Sequence, residues 1–312
     1  MGESAIHPEL ESEQSYVDRA FERLEATRRA ALRLQNMVET GRGGTNQARW
    51  EREVFQENIV HRLSQLNLGD QSLVFGRLDF EPESRAPDDP GRYYIGRMAV
   101  SDENQDVLVV DWRAPIAEAF YRATGPDPMG LRRRRHFASR GRTLIGLDDE
   151  LFGLGVEADE SRIAGHGALI SALEESRPGR LPDNVATLQG EQDEIIRAPM
   201  NGVLVVQGGP GTGKTVVALH RAAYLLYTHR FPLEGQGVLV IGPNRLFIAY
   251  FEQVLPSLAE AGVDIAVLAD LLRPSVRVDR LDYEPTARVK GDLRMTEVLA
   301  RAVSDRERPL RD

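Results

Sequence analysis

The run VLVVQGGPGTGKTVVALHRAAYLLYT, residues 203–228, constrains this chain more than any other stretch. Four apolar residues lead into a glycine-rich turn, a lysine and a threonine follow, and a helical pattern comes after them. Gly208 to Thr215 fits G-x-x-x-x-G-K-[ST] in full, in the strand-before, helix-after context that the motif needs. Glycines at 208, 209, 211 and 213 let the backbone curl until successive N–H groups point at one phosphate. The helix opening near Gly213 adds its positive N-terminal end. Lys214 is placed to reach the β- and γ-phosphates, and the Thr215 hydroxyl to coordinate Mg²⁺. The expected nucleotide-binding residues are therefore Gly208, Gly209, Pro210, Gly211, Thr212, Gly213, Lys214, Thr215 and Val216. Lys214 and Thr215 would carry the chemistry, and Thr215 the metal. Lys214 and Lys290 are the only lysines; arginine serves everywhere else, a bias that suits a GC-rich genome and makes Lys214 stand out.

The pattern around this loop is α/β. A helix is expected over 183–199, a strand at 203–207, a helix at 213–229, a strand at 237–241, a helix at 245–260 and a strand at 264–268. Strands alternating with helices imply a parallel sheet. Residues 72–148 read differently. LVFGRLDF, YYIGRMAV, DVLVVDWRAP, EAFYRA, LRRRRHFAS and RTLIGLD look like short strands, with turn chemistry at APDDPG and TGPDPMG. Strands so spaced form an antiparallel module. On its run Arg132–Arg135, alternate arginines face opposite sides. One pair could meet an acidic partner or phosphates; a solvated or salt-bridged edge is the other reading.

The N-terminal part is helical. Over 13–40, Val17, Leu24, Ala31 and Val38 repeat every seven residues, with Ala20 or Phe21, Thr27 or Arg28, and Leu34 between them, as in a coiled-coil seam. GRGGTN at 41–46 breaks the helix, and a second one is expected over 47–66 with Phe55, Ile59, Leu63 and Leu66 on one face. Two helices joined by a tight turn make an antiparallel hairpin, about 40 Å long at 1.5 Å per residue. It could lie flat on the body or protrude as an arm.

Bulk properties exclude several classes. A net charge of −9 argues against a body that binds nucleic acid over its whole surface. There is no cysteine, hence no disulfide or thiolate metal site. The N-terminus lacks a basic-then-apolar leader, and no run approaches the ~20 apolar residues of a membrane span. A cytoplasmic monomer without membrane contact is expected.

Two further features flank the loop. LQGEQDEIIRAP places Gln192 on a helix just before the strand that leads into the cradle. The spacing resembles the Gln motif of superfamily 1 helicases, where one amide reads an acceptor and a donor on adenine; it favours ATP over GTP. IGPNRLF at 241–247 corresponds to a loop that meets nucleic acid or relays the nucleotide state in those helicases, or is a helix start with Asn244 as N-cap. Machinery for hydrolysis is harder to find. VLVVD111 and LIGLDDE have an apolar-then-acid form but precede the loop. AVLAD270 follows it, with Leu271 where a glutamate should stand. No arginine finger can be assigned. Weak ATP binding and negligible hydrolysis are expected of this chain.

Taken in order, the helical hairpin, YYIGR (93–97), DWRAPIAEAFY (111–121), LDDEL (147–151), VATLQGEQDEIIRAP, VLVVQGGPGTGKT and VLVIGPN resemble the HelD family, most of all its actinobacterial class. The resemblance covers nearly the whole chain. It implies a helicase-like ATPase that binds bacterial RNA polymerase, pries stalled or idle enzyme open and releases nucleic acid; some members protect polymerase from rifamycins. It also implies that residues 13–66 enter the polymerase secondary channel, that Gln192 faces adenine, that Gly208–Thr215 hold the phosphates of ATP with Mg²⁺, and that contact with nucleic acid is indirect. There are two departures. The family continues for several hundred residues with its acidic Mg²⁺ motif and a second α/β domain, so this chain is expected to be the front part of such a protein. The hairpin tip has no carboxylate between Glu39 and Glu51, which argues against direct action at the polymerase metal.

The expected architecture is thus an α/β P-loop NTPase core, partial and built on a parallel sheet, preceded by an antiparallel helical hairpin (a coiled coil) and a small antiparallel β module. The segments are a hairpin arm at 1–70, the β-rich module at 71–150 and a connecting segment at 151–182 with a short helix near 167–176. A partial NTPase domain like helicase domain 1A follows at 183–272, then the start of an insert or tail at 273–312, with a short helix near 294–303. Two other readings stand beside this one: a UvrD/Rep-type DNA helicase fragment, and a polymerase-binding module with an idle nucleotide site.

Overall fold

The computed structural model describes residues 7–40, parts of 55–69, 71–84, 89–153, 162–163, 188–229, 237–254, 263–271 and 282–306, with isolated positions besides. The chain forms two compact units, Met1–Val267 and Leu268–Asp312.

A seven-stranded sheet organises the first unit. Its strands are β1 (Val74–Phe80), β2 (Arg92–Gly96), β3 (Val100–Ser101), β4 (Val107–Asp111), β5 (Leu131–Arg140), β6 (Thr143–Leu151) and β7 (Arg162–Ile163), in the order β3-β4-β2-β1-β5-β6-β7. The expectation of an antiparallel module needs correction: β4 turns back through β3 and lies parallel to β2, with Ile95 opposite Val110 and Gly96 opposite Asp111. The sheet is mixed. That parallel step requires a close approach at Gly96, where a Cβ would collide with the Leu73 carbonyl and Val109. EAFYRA is corrected too. It is a helix, α2 (Glu118–Arg122), continued from a 3-10 turn whose first residue is Pro115. Proline at a first helical position and an acid in the first turn both favour a helix start.

Alternation sends neighbouring side chains to opposite faces. On one face Val74, Tyr94, Val109, Phe137, Leu144 and Leu147 meet Val17, Ala20, Phe21 and Leu24 of helix α1 (Leu10–Thr40). On the other, Phe75, Ile95, Trp112 and Leu131 form a second core with residues of α2 and of two later helices. The first half of the heptad seam of α1 is therefore committed to the sheet, with Leu66 and Leu68 packed beside it. Beyond Ala31 the helix exposes Leu32, Leu34 and Met37. Residues of the expected partner helix are helical at positions 55–63 where described; Ile59 is buried but Phe55 is exposed. The tip, 41–54, lies outside the described residues, as does most of 154–187 with its expected short helix.

The arginine run is structural. Arg135, fully buried, donates to Glu9 (2.7 Å) just ahead of α1, to Glu13 (2.7 Å) of α1 and to both carboxylate oxygens of Asp149 on β6 (2.5 and 2.6 Å). Arg77 bonds to Glu13 and to Asp79 (2.9 Å), and Arg133 to Asp79 (2.6 Å). Arg134, on the other face, pairs with Glu150 and donates to the Phe120 carbonyl (2.8 Å). The neighbouring guanidinium of Arg135, to which it is hydrogen-bonded, holds Glu9 down to about 2, against the opposing effect of burial. Bidentate guanidinium forks are directional, so this network fixes the base of α1 in orientation as well as position.

After the sheet come α3 (Gly190–Arg197), α4 (Lys214–Thr228), β8 (Val238–Gly242), α5 (Arg245–Val254) and β9 (Val263–Val267). β8 and β9 pair in parallel, as the α/β pattern requires. The expected strand at 203–207 does not join them: these residues form no strand, and Val203 and Val205 are exposed. An all-apolar strand of this kind is stable in a parallel sheet with neighbours on both edges, and none of the described residues flanks it. Of the helix expected over 183–199, residues 183–187 lie outside the described residues; Leu188 and Gln189 are not helical, and α3 starts at Gly190 after a reciprocal capping box of Gln189 and Gln192.

The second unit holds a 3-10 turn (Leu268–Leu271), α6 (Glu284–Lys290) and α7 (Met295–Arg306), with Leu293, Leu299 and Val303 exposed.

Candidate functional site

Gly213 caps α4 with φ +82°, in the left-handed region, and Gly211 has φ +78°. Only glycine enters that region at little cost, so these two positions let the loop wrap round the helix start. The first bond of α4 runs from the Val217 N–H to the Gly213 carbonyl (2.9 Å). The N–H groups ahead of Val217 are those that a helix leaves without an internal partner, and the first turn of α4 contains no acid to compete for them. Lys214 lies over the loop, donating from Nζ to the carbonyls of Gly208 (2.8 Å) and Gly209 (2.5 Å). Thr212 closes the turn by donating from its hydroxyl to the Gly209 carbonyl (3.0 Å). Gly208, Gly209 and Pro210 form the exposed lip, and Thr215 stands half-buried on the first turn of α4. Val216 turns towards the core, and its carbonyl bonds to the His220 ring (2.8 Å).

Gln192 projects from α3 onto this loop. Its Oε1 accepts the Gln189 N–H (3.2 Å), and its Nε2 points at the Thr212 carbonyl (3.5 Å). A Cβ at position 213 would sit 2.8 Å from that Nε2 and push the amide aside; glycine is required there by its φ. The sequence-expected residues Gln192 and Gly208–Val216 are thus brought together. Asn244 caps α5, accepting the Phe247 N–H (2.9 Å). Asp270 is exposed on the 3-10 turn of the second unit. Among the described residues no cluster of His, Asp and Glu is arranged to hold a metal ion, and no helix is long and apolar enough to cross a membrane.

The structure adds a joint that sequence reasoning missed. Asp111 at the end of β4 accepts from the Arg113 N–H (2.9 Å) and Nε (2.8 Å) and so locks the turn 111–114. The α4 helix docks on that turn: His220 meets Trp112 edge-on at 5.5 Å, and the Arg113 guanidinium lies 4.7 Å over the Tyr227 ring. The α3 helix docks there too. Arg197 donates to the carbonyls of Trp112 (2.8 Å), Arg113 (3.2 Å) and Ala114 (3.4 Å), and to the buried Asp193 (2.8 Å). Arg221 of α4 in turn donates to the carbonyls of Ile195, Ile196, Ala198 and Pro199, closing the C-terminal end of α3. Burial raises the Asp193 pKa against the pull of Arg197, and it raises that of Tyr121 well above its ordinary value. The only local signal was the Asp193–Arg197 spacing of four; nothing near Arg197 points to residues 112–114.

Comparisons with known proteins agree with this layout. The N-terminal domain of DNA helicase IV HelD matches residues 10–165, which is 156 of the 312. The UvrD/REP helicase N-terminal domain matches residues 188–241, the segment that holds Gln192, the glycine loop and α4. No curated protein matches the chain. The first of these matches spans α1, the mixed sheet and the 111–114 turn, and the second follows it in the same order: the chain belongs to the HelD family of helicase-like proteins.

Proposed function

We propose that this chain is the ATP-binding portion of a helicase-like motor ATPase that binds bacterial RNA polymerase and releases nucleic acid from it. The observation that carries the reading is the shared joint. The helix that opens the phosphate cradle and the sheet that seats α1 meet at residues 111–114. A nucleotide site docked on the end of the sheet that seats the arm suits a machine in which nucleotide state governs grip on a partner.

The residues fit ATP with Mg²⁺. Two left-handed glycines, a helix start free of acids and a lysine over the loop make a phosphate site. Lys214 would exchange its two carbonyl partners for phosphate oxygens, and Thr215 would offer its hydroxyl to the metal. Gln192 would face the base. Bound Mg²⁺ would supply charge neutralisation on the phosphates. Residues 13–66 would reach into the polymerase secondary channel. The match to the UvrD/REP domain also favours a DNA-helicase reading. It ranks second, because the HelD N-terminal domain accounts for half of the chain and precedes the cradle.

Two measurements test the proposal. ATP binding by the whole chain, followed with a fluorescent analogue, should fall by at least about a hundredfold in Lys214→Ala, since charge-assisted bonds to phosphate are lost. Purified core polymerase should retain the whole chain in a pull-down. The isolated 1–70 segment is unsuitable, because Val17, Ala20, Phe21 and Leu24 bury themselves on the sheet. A folded chain that polymerase does not retain would refute the partner; unwinding of duplex DNA would favour the second reading.

A further inference from the structure

We infer that Arg197 is a positioning residue for base selection: it beds α3 on the β sheet module and thereby holds Gln192 at the edge of the phosphate loop. The inference rests on the nucleotide reading above.

The argument starts from the length of α3. Its eight residues make two turns, and a helix that short does not hold its shape or place by itself. Its position must come from what it touches. At its start, a Cβ on Gly190 would lie 3.1 Å from the Tyr121 carbonyl of α2, so the helix is laid against the backbone of the β module. At its end, Arg197 extends one guanidinium across three successive carbonyls, of Trp112, Arg113 and Ala114, while its Nε holds Asp193 one turn back. Asp193 and Ile196 are completely buried between these two ends. The bed of α3 is therefore the segment 112–122, while Arg221 of α4 closes its C-terminal end on the carbonyls of Ile195, Ile196, Ala198 and Pro199. The phosphate loop touches α3 only lightly, through the 3.5 Å contact of Gln192 with the Thr212 carbonyl.

A division of labour follows. The loop and α4 locate the phosphates. The β module, through α3, locates the amide that reads the base. Changing Arg197 should therefore alter which base is preferred and leave phosphate binding as it was. A residue with only a general structural role would weaken both together.

The test uses the whole chain and three probes with Mg²⁺: ATP, GTP and inorganic tripolyphosphate, with affinities from competition against a fluorescent nucleotide. The wild-type chain should prefer ATP over GTP by about tenfold, as expected for an amide that pairs with one base and not the other. In Arg197→Met the preference should fall to about twofold or less, with tripolyphosphate affinity unchanged. Arg197→Lys keeps a charge beside Asp193 but cannot fork across three carbonyls; it should give an intermediate preference, and it decides the matter if Arg197→Met does not fold. An ATP preference unaltered in Arg197→Lys, or a parallel loss of ATP and tripolyphosphate, overturns the inference. A wild-type chain that binds all three probes without preference also overturns it and leaves the cradle standing. Binding of none would remove the cradle reading itself.

Discussion

Replacing Trp112 with alanine should loosen both the sheet and the helix that carries the phosphate loop. Trp112 is 1 % exposed and contacts the core formed by Phe75, Leu78, Ile95, Phe120, Leu131, Val217 and Leu219, with His220 against its edge. A buried indole removes about 200 Å² from water, worth about 5 kcal/mol at 25 cal/mol per Å². Partial collapse of the cavity brings the expected cost of Trp112→Ala to about 3–5 kcal/mol. Against a typical total of about 5–15 kcal/mol, that is a large fraction. The distribution of the loss is the sharper test. Val217 and Leu219 belong to α4, whereas Phe75 and Ile95 belong to the sheet, so one substitution should lower amide protection in 214–228 and in 92–111 alike. Urea unfolding of the whole chain gives the total, and hydrogen exchange followed by mass spectrometry gives the distribution. Trp112→Phe, which keeps much of the volume, should cost about half as much. A loss under about 1 kcal/mol, or a loss confined to the sheet with α4 as protected as before, would refute the claim that the two share one core.

Other expectations are as direct. Burial, aided by the nearby Arg134 charge, lowers the His136 pKa from 6.5 to about 4. The folded state thus disfavours its protonation, and its contribution is complete above pH 6.5 and lost as pH falls towards 4. The size is about 3 kcal/mol, at 1.36 kcal/mol per unit. Replacing His136 with glutamine should flatten the stability profile between those values, as measured by denaturant midpoints across pH. Glu13→Gln removes a carboxylate held between Arg77 and Arg135, both buried; it should cost about 3 kcal/mol and expose α1 to protease. Gly213→Ala should cost about 1–2 kcal/mol for the left-handed φ alone. It should also displace the Gln192 amide, weakening ATP binding in a fluorescence titration.

The shape of the glycine loop was legible because it is local. Eight consecutive residues specify a loop whose geometry depends on glycines at fixed offsets, and α4 then starts at Lys214 within a residue of its expected place. Gln192 was legible for a similar reason, since the capping box that starts its helix uses the same side chain. The misreadings share another cause. EAFYRA, with two aromatics among strand-like neighbours, reads as a strand, and what makes it helical is Pro115 and the turn upstream. The salt-bridged edge expected at Arg132–Arg135 does form, but the run could not name the partners of Arg133 and Arg135, Glu9 and Glu13, more than a hundred residues earlier in the chain. The heptads of α1 suit a helical partner and a flat sheet equally, because both accept an apolar stripe. The run 203–207 has the composition of a buried central strand, but composition states an appetite for neighbours and cannot provide them.

The charged fastening at the base of α1 has a mechanical consequence. The helix is held near Glu9, Glu13 and Leu24, and about 24 Å of it lies between Leu24 and Thr40 at 1.5 Å per residue. It is a lever with a clamped half and an outer half of similar length. A rotation of the sheet by about 5° under the clamp would swing Thr40 sideways by about 2 Å, enough to shift a contact with a facing helix by about one residue. Grease alone would let the clamp slip, since apolar contacts have little preference for angle. Forked ion pairs resist that slip, so a small turn at the sheet arrives at the far end as displacement.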